Sequence, residues 1–161
     1  MKSIFTKILK SNQIITKNIE KYNVDWMNKF HGKAQTILLP SNTTDVSNIL
    51  KTCNSNKIPI HIQGGNTGLV GGAVASNAEV LISMERLNKI KNFCDKRGVI
   101  HCQSGCILQT LDEHVNEKGW LMPLDLGAKG SCQIGGNIVT NAGGIRFYKY
   151  GSLHQNVLGM K

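Results

Sequence analysis

Ile58-Pro59-Ile60-His61-Ile62-Gln63-Gly64-Gly65-Asn66-Thr67-Gly68-Leu69-Val70-Gly71-Gly72 runs from an apolar segment straight into a loop with five glycines in nine positions. The first five residues read as a strand, because the β-branched isoleucines suit a pleated surface. A glycine loop after a strand invites a dinucleotide fold, but this spacing is not G-x-G-x-x-G. No clear helix follows, as that fold requires. Gly-Lys-Ser/Thr is absent as well, which excludes a Walker A loop. What remains physically is a segment whose backbone N–H groups can converge on an anion without Cβ obstruction, with Asn66 and Thr67 as side-chain donors. A diphosphate suits such donors. The competing reading, a purely structural turn, seldom needs ten residues of this kind.

Upstream, residues 3–10 read as a short helix and Thr36–Leu39 as a strand ended by Pro40. A second helix follows, with Asn42 or Thr43 as its cap. Asp45 stands at its positive end, and Val46, Ile49, Leu50 and Cys53 lie at helical spacing. Downstream, Glu79–Ser83 reads as a strand, and Lys89–Phe93 with Gly98–Gln103 as a strand pair. Ile107, Leu108, Leu111 and Val115 mark an amphipathic helix. From Trp120 to Gly144 the alternation of short apolar pieces with Gly, Pro and Asn suits tight turns rather than long elements. Val157–Lys161 reads as the start of another strand, so the sequence is expected to be truncated at its C-terminus. Strand–helix–strand followed by hairpin-like strands indicates an α+β domain of two subdomains.

A second stretch carries chemistry: Pro123-Leu124-Asp125-Leu126-Gly127-Ala128-Lys129-Gly130-Ser131-Cys132-Gln133-Ile134-Gly135-Gly136-Asn137-Ile138-Val139-Thr140-Asn141-Ala142-Gly143-Gly144. Its paired glycines can lay backbone along an extended, flat ligand, with Ser131, Asn137, Thr140 and Asn141 as donors. Two such stretches in one small domain suggest a ligand long enough to need both.

Composition narrows the alternatives. The chain has 161 residues, 40% hydrophobic and 18% charged, as expected of a folded domain. No run of about 18 apolar residues exists, so no membrane span is expected. The charge of +9 raises nucleic acid, but residues 1–33 hold seven lysines spaced like solvated helix faces, without aromatic interleaving. Nucleic acid is therefore not an expected partner. The five cysteines lack CxxC spacing, which disfavours a disulfide framework or a zinc knuckle and suits reduced, mostly buried thiols. His31, His61, His101, His114 and His154 contain no pair at metal-ligand spacing, so no metal site is expected here.

Both glycine stretches, with Asn23-Val24-Asp25-Trp26 and Arg146-Phe147-Tyr148-Lys149-Tyr150-Gly151-Ser152-Leu153-His154, closely resemble the D-2-hydroxyglutarate dehydrogenase family. That family belongs to the vanillyl-alcohol-oxidase (PCMH) type of flavoprotein, and the likeness runs from about residue 3 to 161. The resemblance implies an α+β FAD-binding domain of two subdomains with the cofactor held between them, spanning residues 34–161 after a helical lead-in at 1–33. It implies that Gln63, Gly64, Gly65, Asn66, Thr67, Gly68, Leu69 and Val70 wrap the pyrophosphate. Pro123, Leu124, Gly127, Gly130, Ser131, Gly135, Gly136, Asn137, Thr140 and Asn141 would line the path from adenosine to isoalloxazine. Some relatives place a histidine directly after a Gly-Gly pair and link it to the flavin; Asn66 stands there, which implies non-covalent FAD.

The implied reaction converts a D-2-hydroxyacid, D-2-hydroxyglutarate foremost, to the 2-oxoacid. Hydride would pass to the flavin and electrons onward to an acceptor such as electron-transfer flavoprotein. D-lactate as substrate and a non-catalytic flavin-binding fragment are the alternatives. The family's substrate residues, its divalent metal such as zinc and its cap would lie beyond residue 161, and no residue here is assigned as the base. A mitochondrial location is the family expectation, matched by a Lys-rich, acid-free start at residues 1–19; otherwise cytoplasmic. Two residues depart from the family: Lys149 stands for an arginine and Gln155 for a glycine. Two roles are open to Arg146, a contact with flavin or substrate carboxylate, or an ion pair with an acid.

Overall fold

A computed structural model describes residues 2–161 and divides the chain into two compact units, Met1–Leu87 and Asn88–Lys161. The first is built on a four-stranded sheet. Strands β1 (Ile14–Ile15), β2 (Thr36–Leu38), β3 (Ile60–Gln63) and β4 (Val80–Ser83) lie in the order β1-β2-β4-β3. β4 pairs in parallel with both β2 and β3, and β1 closes the β2 edge antiparallel. Every residue of β2 and β4 is buried, as parallel strands covered on both faces require.

Because side chains alternate across a strand, the two faces collect different partners. Ile37, Leu39 and Leu81 pack with Tyr22, Ala34 and Ala75, while Leu38, Val80 and Ile82 pack with Phe5, Leu9, Ile14 and Ile49. Residues 2–33 therefore share one core with the strands that follow. They supply β1 as well as helices α1 (Lys2–Phe5) and α2 (Glu20–Asn23). The expected helix over 3–10 is shorter: after Phe5 the chain continues as turns.

Helix α3 (Thr43–Ser55) has the expected Asn42 cap, whose Oδ1 accepts the Asp45 N–H at 2.8 Å. Buried Gln13 donates from Nε2 to the Leu39 carbonyl and to Asp45 Oδ2, fixing the start of α3 to the sheet. The strand expected at Ile58–Ile62 begins at Ile60, because Pro59 has no N–H for a ladder bond and Lys57 turns the chain at φ 53°.

The second unit opens with an antiparallel hairpin, β5 (Ile90–Cys94) and β6 (Val99–Cys102), irregular between Ile90 and Asn92. Gly98 turns it at φ 61°, and the Trp120 ring lies where a Cβ on Gly98 would stand. Trp120 Nε1 donates to Asp95 Oδ1 at 2.9 Å. Helix α4 (Leu108–Asn116) buries Leu108, Leu111 and Val115 on one face, against Met122, Leu124, Cys132, Ile134 and Leu153.

The segment 120–144 is not turns alone. Helix α5 (Ile134–Val139) forms inside it despite two adjacent glycines, which are poor helix formers. Long-range bonds hold it: Ile134 N–H donates to the Cys106 carbonyl at 2.9 Å and Gly135 N–H to the Ser104 carbonyl at 2.8 Å. A short helix α6 (Phe147–Tyr150) follows. Val157–Lys161 forms no strand.

Candidate functional site

The glycine loop leaves β3 at Gln63 and returns to β4, with no helix between them. Gln63 is buried, and its Nε2 donates to the Tyr22 carbonyl at 3.0 Å and the Ala73 carbonyl at 2.7 Å. That one amide ties the two ends of the loop together and to α2. Asn66 takes the left-handed conformation, φ 54°, and its Nδ2 donates to the Val24 carbonyl at 2.7 Å. Val24 is held in turn by its neighbour Asp25. The Asp25 carboxylate accepts the N–H groups of Phe30 and Lys29, each at 2.7 Å, and the Phe30 donor above all keeps this carboxyl below the ordinary carboxylate range. The Asn-Val-Asp-Trp motif is thus a brace under the loop.

Between these anchors the backbone is open. Among the described residues, no N–H from Gly64 to Gly72 donates to a protein acceptor. Gly68, Leu69 and Val70 are exposed, and no acidic residue occurs between Asp25 and Asp45 or between Asp45 and Glu79. A run of N–H donors free of competing acceptors and of acid side chains can receive an anion. The Asn66 Oδ1 is buried without a partner, so the loop also offers one acceptor.

The second stretch has the opposite character. From Lys129 to Ala142 its N–H groups are mostly paired within the protein: Lys129 to Leu126, Ser131 and Cys132 to Ala128, Asn137 to Gln133, Thr140 to Gly136 and Ala142 to Asn137. Several expected contact residues also serve the fold. Leu124 is in the core, Thr140 Oγ1 bonds back to the Gly136 carbonyl at 2.9 Å, and Gly130 faces Gln109. Asn141, at φ 49°, accepts the His154 N–H at 3.2 Å, while His154 Nε2 meets the Ile138 carbonyl at 2.5 Å.

What is left over is specific. Asn137 is 6% exposed and its Oδ1 has no partner; Gln133, 7% exposed, has the same deficit at Oε1. A buried amide oxygen without a hydrogen bond costs about 1–3 kcal/mol, so this pair asks for a ligand or water with hydrogen to donate. Gly127 and Gly136 point the same way. A Cβ on either would meet nothing within 4 Å, so nothing inside the protein requires glycine there. Sequence reading missed Gln133; the available signal was an amide between the apolar neighbours Cys132 and Ile134.

Arg146 resolves toward structure. Its Nη1 donates to Asp112 Oδ1 at 3.1 Å and to the Met122 carbonyl at 2.7 Å, and Nη2 lies 3.8 Å from Asp125 Oδ2. Gln155 is not at positive φ; its Oε1 accepts the Ser152 N–H at 3.1 Å, a bond glycine could not make. Among the described residues no cluster of three or more His, Cys, Asp or Glu is placed to hold a metal ion, and no helix is long and apolar enough to cross a membrane.

A family model described as an FAD binding domain matches residues 34–161. The chain is 48% identical over 161 residues to D-2-hydroxyglutarate dehydrogenase, mitochondrial, of Arabidopsis thaliana, covering 99% of this chain and 29% of the relative. It is 38% identical over 161 residues to a D-2-hydroxyglutarate–pyruvate transhydrogenase of Saccharomyces cerevisiae, covering 98% of this chain and 32% of that protein. The chain thus spans about a third or less of these relatives' length. Among solved structures, alkyldihydroxyacetonephosphate synthase superposes with a TM-score of 0.87 at 16% identity, over 98% of this chain and 32% of that one; the α+β fold is shared.

Proposed function

The chain belongs to the FAD binding domain family, and we propose that it holds FAD non-covalently as part of a protein that oxidises D-2-hydroxyacids, D-2-hydroxyglutarate foremost. The open N–H run from Gly64 to Gly72 carries this reading. A pyrophosphate is the part of FAD that matches donors without acceptors, and Asn66 leaves no histidine for a covalent link. The buried amides of Gln133 and Asn137 suit the neutral, hydroxyl- and N–H-bearing part of the cofactor, with Gly127 and Gly136 leaving room for it. Bound FAD supplies the hydride acceptor for C2 of the hydroxyacid. The residues of this chain bind and orient it; Arg146, paired with Asp112, is assigned to holding α6 near α4.

The substrate is proposed from the names of the relatives, and a mitochondrial location for the whole protein from the name of the Arabidopsis relative. Electrons are proposed to leave to an acceptor of the electron-transfer-flavoprotein class; pyruvate, in the name of the yeast relative, is the alternative. The test is an absorbance spectrum of the purified chain after incubation with FAD and desalting. Flavin bands should stay with the protein and be released by acid precipitation. Flavin that precipitates with the protein refutes the non-covalent assignment, and a folded but colourless protein refutes binding by this chain.

A further inference from the structure

With α5 read as part of the FAD site, we propose that His154 is a positioning residue: it fastens the last turn of α5 and so fixes the direction in which Asn137 offers its open oxygen. α5 cannot hold itself. It has six residues, two of them adjacent glycines, and a helix this short is unstable in isolation. Its start is tied down by the Cys106 and Ser104 carbonyls. At its other end the helical carbonyls run out of intrahelical donors. There the Ile138 carbonyl takes the Asn141 N–H at 3.1 Å and the His154 Nε2 at 2.5 Å. Asn141 is held by the same residue, since its Oδ1 accepts the His154 N–H at 3.2 Å. One histidine therefore grips the end of α5 twice, by ring and by backbone.

His154 stands on a stiff turn of its own. Leu153–Asn156 is a 3₁₀ turn anchored by Leu153, which lies in the core that also holds Leu111, Val115 and Ile134. Gln155 N–H donates to the Ser152 carbonyl and Ser152 N–H to Gln155 Oε1, each at 3.1 Å. Asn156 Nδ2 closes the far end, donating to the Tyr150 and Ser152 carbonyls. A carbonyl can only accept, so Nε2 carries the hydrogen, and in the neutral ring Nδ1 has none.

Asn137 precedes Ile138, and its own carbonyl accepts the Ala142 N–H at 2.9 Å. Its Oδ1, buried without a partner, serves a ligand only in a fixed direction, because a hydrogen bond weakens steeply off line. Release of the Ile138 carbonyl lets the last turn fray, and the Asn137 side chain turns with it. The Gly64–Gly72 loop is anchored separately, by Gln63 and Asn66. Loss of the His154 ring should therefore weaken a ligand that needs α5 and spare one that needs the loop alone.

The experiment compares the wild-type chain with His154→Ala and with His154→Gln, whose side-chain amide keeps an N–H donor. Amide hydrogen exchange of the FAD-free chain reads the last turn of α5, and calorimetric titrations with FAD and with inorganic pyrophosphate read the ligand contacts. In His154→Ala the Asn141 and Ala142 amides should exchange about tenfold faster. FAD should bind that variant about tenfold more weakly, and pyrophosphate as it binds the wild type. His154→Gln should restore both the exchange rates and the FAD affinity. Faster exchange with undiminished FAD affinity overturns the positioning role, as do unchanged exchange in His154→Ala and a glutamine variant as loose as the alanine one. FAD and pyrophosphate weakened alike overturns it too, since that marks a general loss of fold. A wild-type chain that takes no FAD refutes cofactor binding, and the positioning role with it, while the exchange rates alone decide whether His154 holds α5.

Discussion

The loop Gly64–Gly72 and the stretch Pro123–Gly144 have the same glycine-rich look and opposite hydrogen-bond accounts. In the loop the side chains of Gln63 and Asn66 brace the ends and the backbone donors are left open. In the stretch the backbone from Lys129 to Ala142 is mostly paired internally and two buried side-chain oxygens are left open. Glycine also serves different ends. Gly135 and Gly144 sit where a side chain would strike Ser104 or Asp125, whereas Gly127 and Gly136 face empty space. Glycine content therefore marks close backbone approach, and only the surroundings show whether the approaching group is protein or ligand.

The sharpest way to break this comparison is at Gly144, at φ 70° with the Asp125 carbonyl against the position of a Cβ. Gly144→Ala should destabilise the chain by about 3 kcal/mol, seen as a lower thermal midpoint; an unchanged midpoint would remove the distinction between the two kinds of glycine. Next is Gly68, where a Cβ meets only Ala73 at 4.0 Å. Gly68→Asp should leave the midpoint unchanged and weaken FAD binding about tenfold in a fluorescence titration, because a carboxylate then competes for the open donors. Equal affinity would take the pyrophosphate away from this loop.

Gln133→Met should move two readouts in opposite directions. Removing a buried unpaired oxygen stabilises the FAD-free chain by about 1 kcal/mol, while FAD affinity falls. A more stable chain with undiminished affinity would mean that the amide faces no ligand. Gly136→Ala is a milder version: alanine in a helix gains about 0.5–1 kcal/mol over glycine, and its methyl group intrudes on the space assigned to FAD. Calorimetric unfolding and FAD titration of the same sample separate the two effects.

The smallest effect concerns the brace under the loop. Asp25 has its folded-state pKa below the ordinary 3.8, so its contribution is complete above that value and is lost as pH falls from 3.8 toward the lower folded value. Acid unfolding should be less steep in Asp25→Asn, and an identical acid profile would show that the carboxylate does not support the loop.

Much of this was legible in the sequence. The apolar runs of β2 and β4, the helical spacing and Asn42 cap of α3, and the β5–β6 hairpin are local patterns, and local patterns decide them. The misses share a cause. α5 exists because Ser104 and Cys106, far back in sequence, accept its first N–H groups, and β1 is two residues that pair only because β2 lies beside them. Arg146 finds Asp112 across 34 residues. At the candidate site the glycine positions could be read directly, but which N–H groups lack acceptors, and that Gln133 is buried, follow from packing.

The clasp of Trp120 over Gly98 has an optical consequence. The chain has two tryptophans, one in each unit. Trp26 is 75% exposed and already emits from water, whereas Trp120 is 41% exposed and is fixed by its bond to Asp95 and by the turn beneath it. A change of the intrinsic fluorescence therefore reports release of the β5–β6 turn against a nearly constant Trp26 background, so the second unit can be followed without any attached dye.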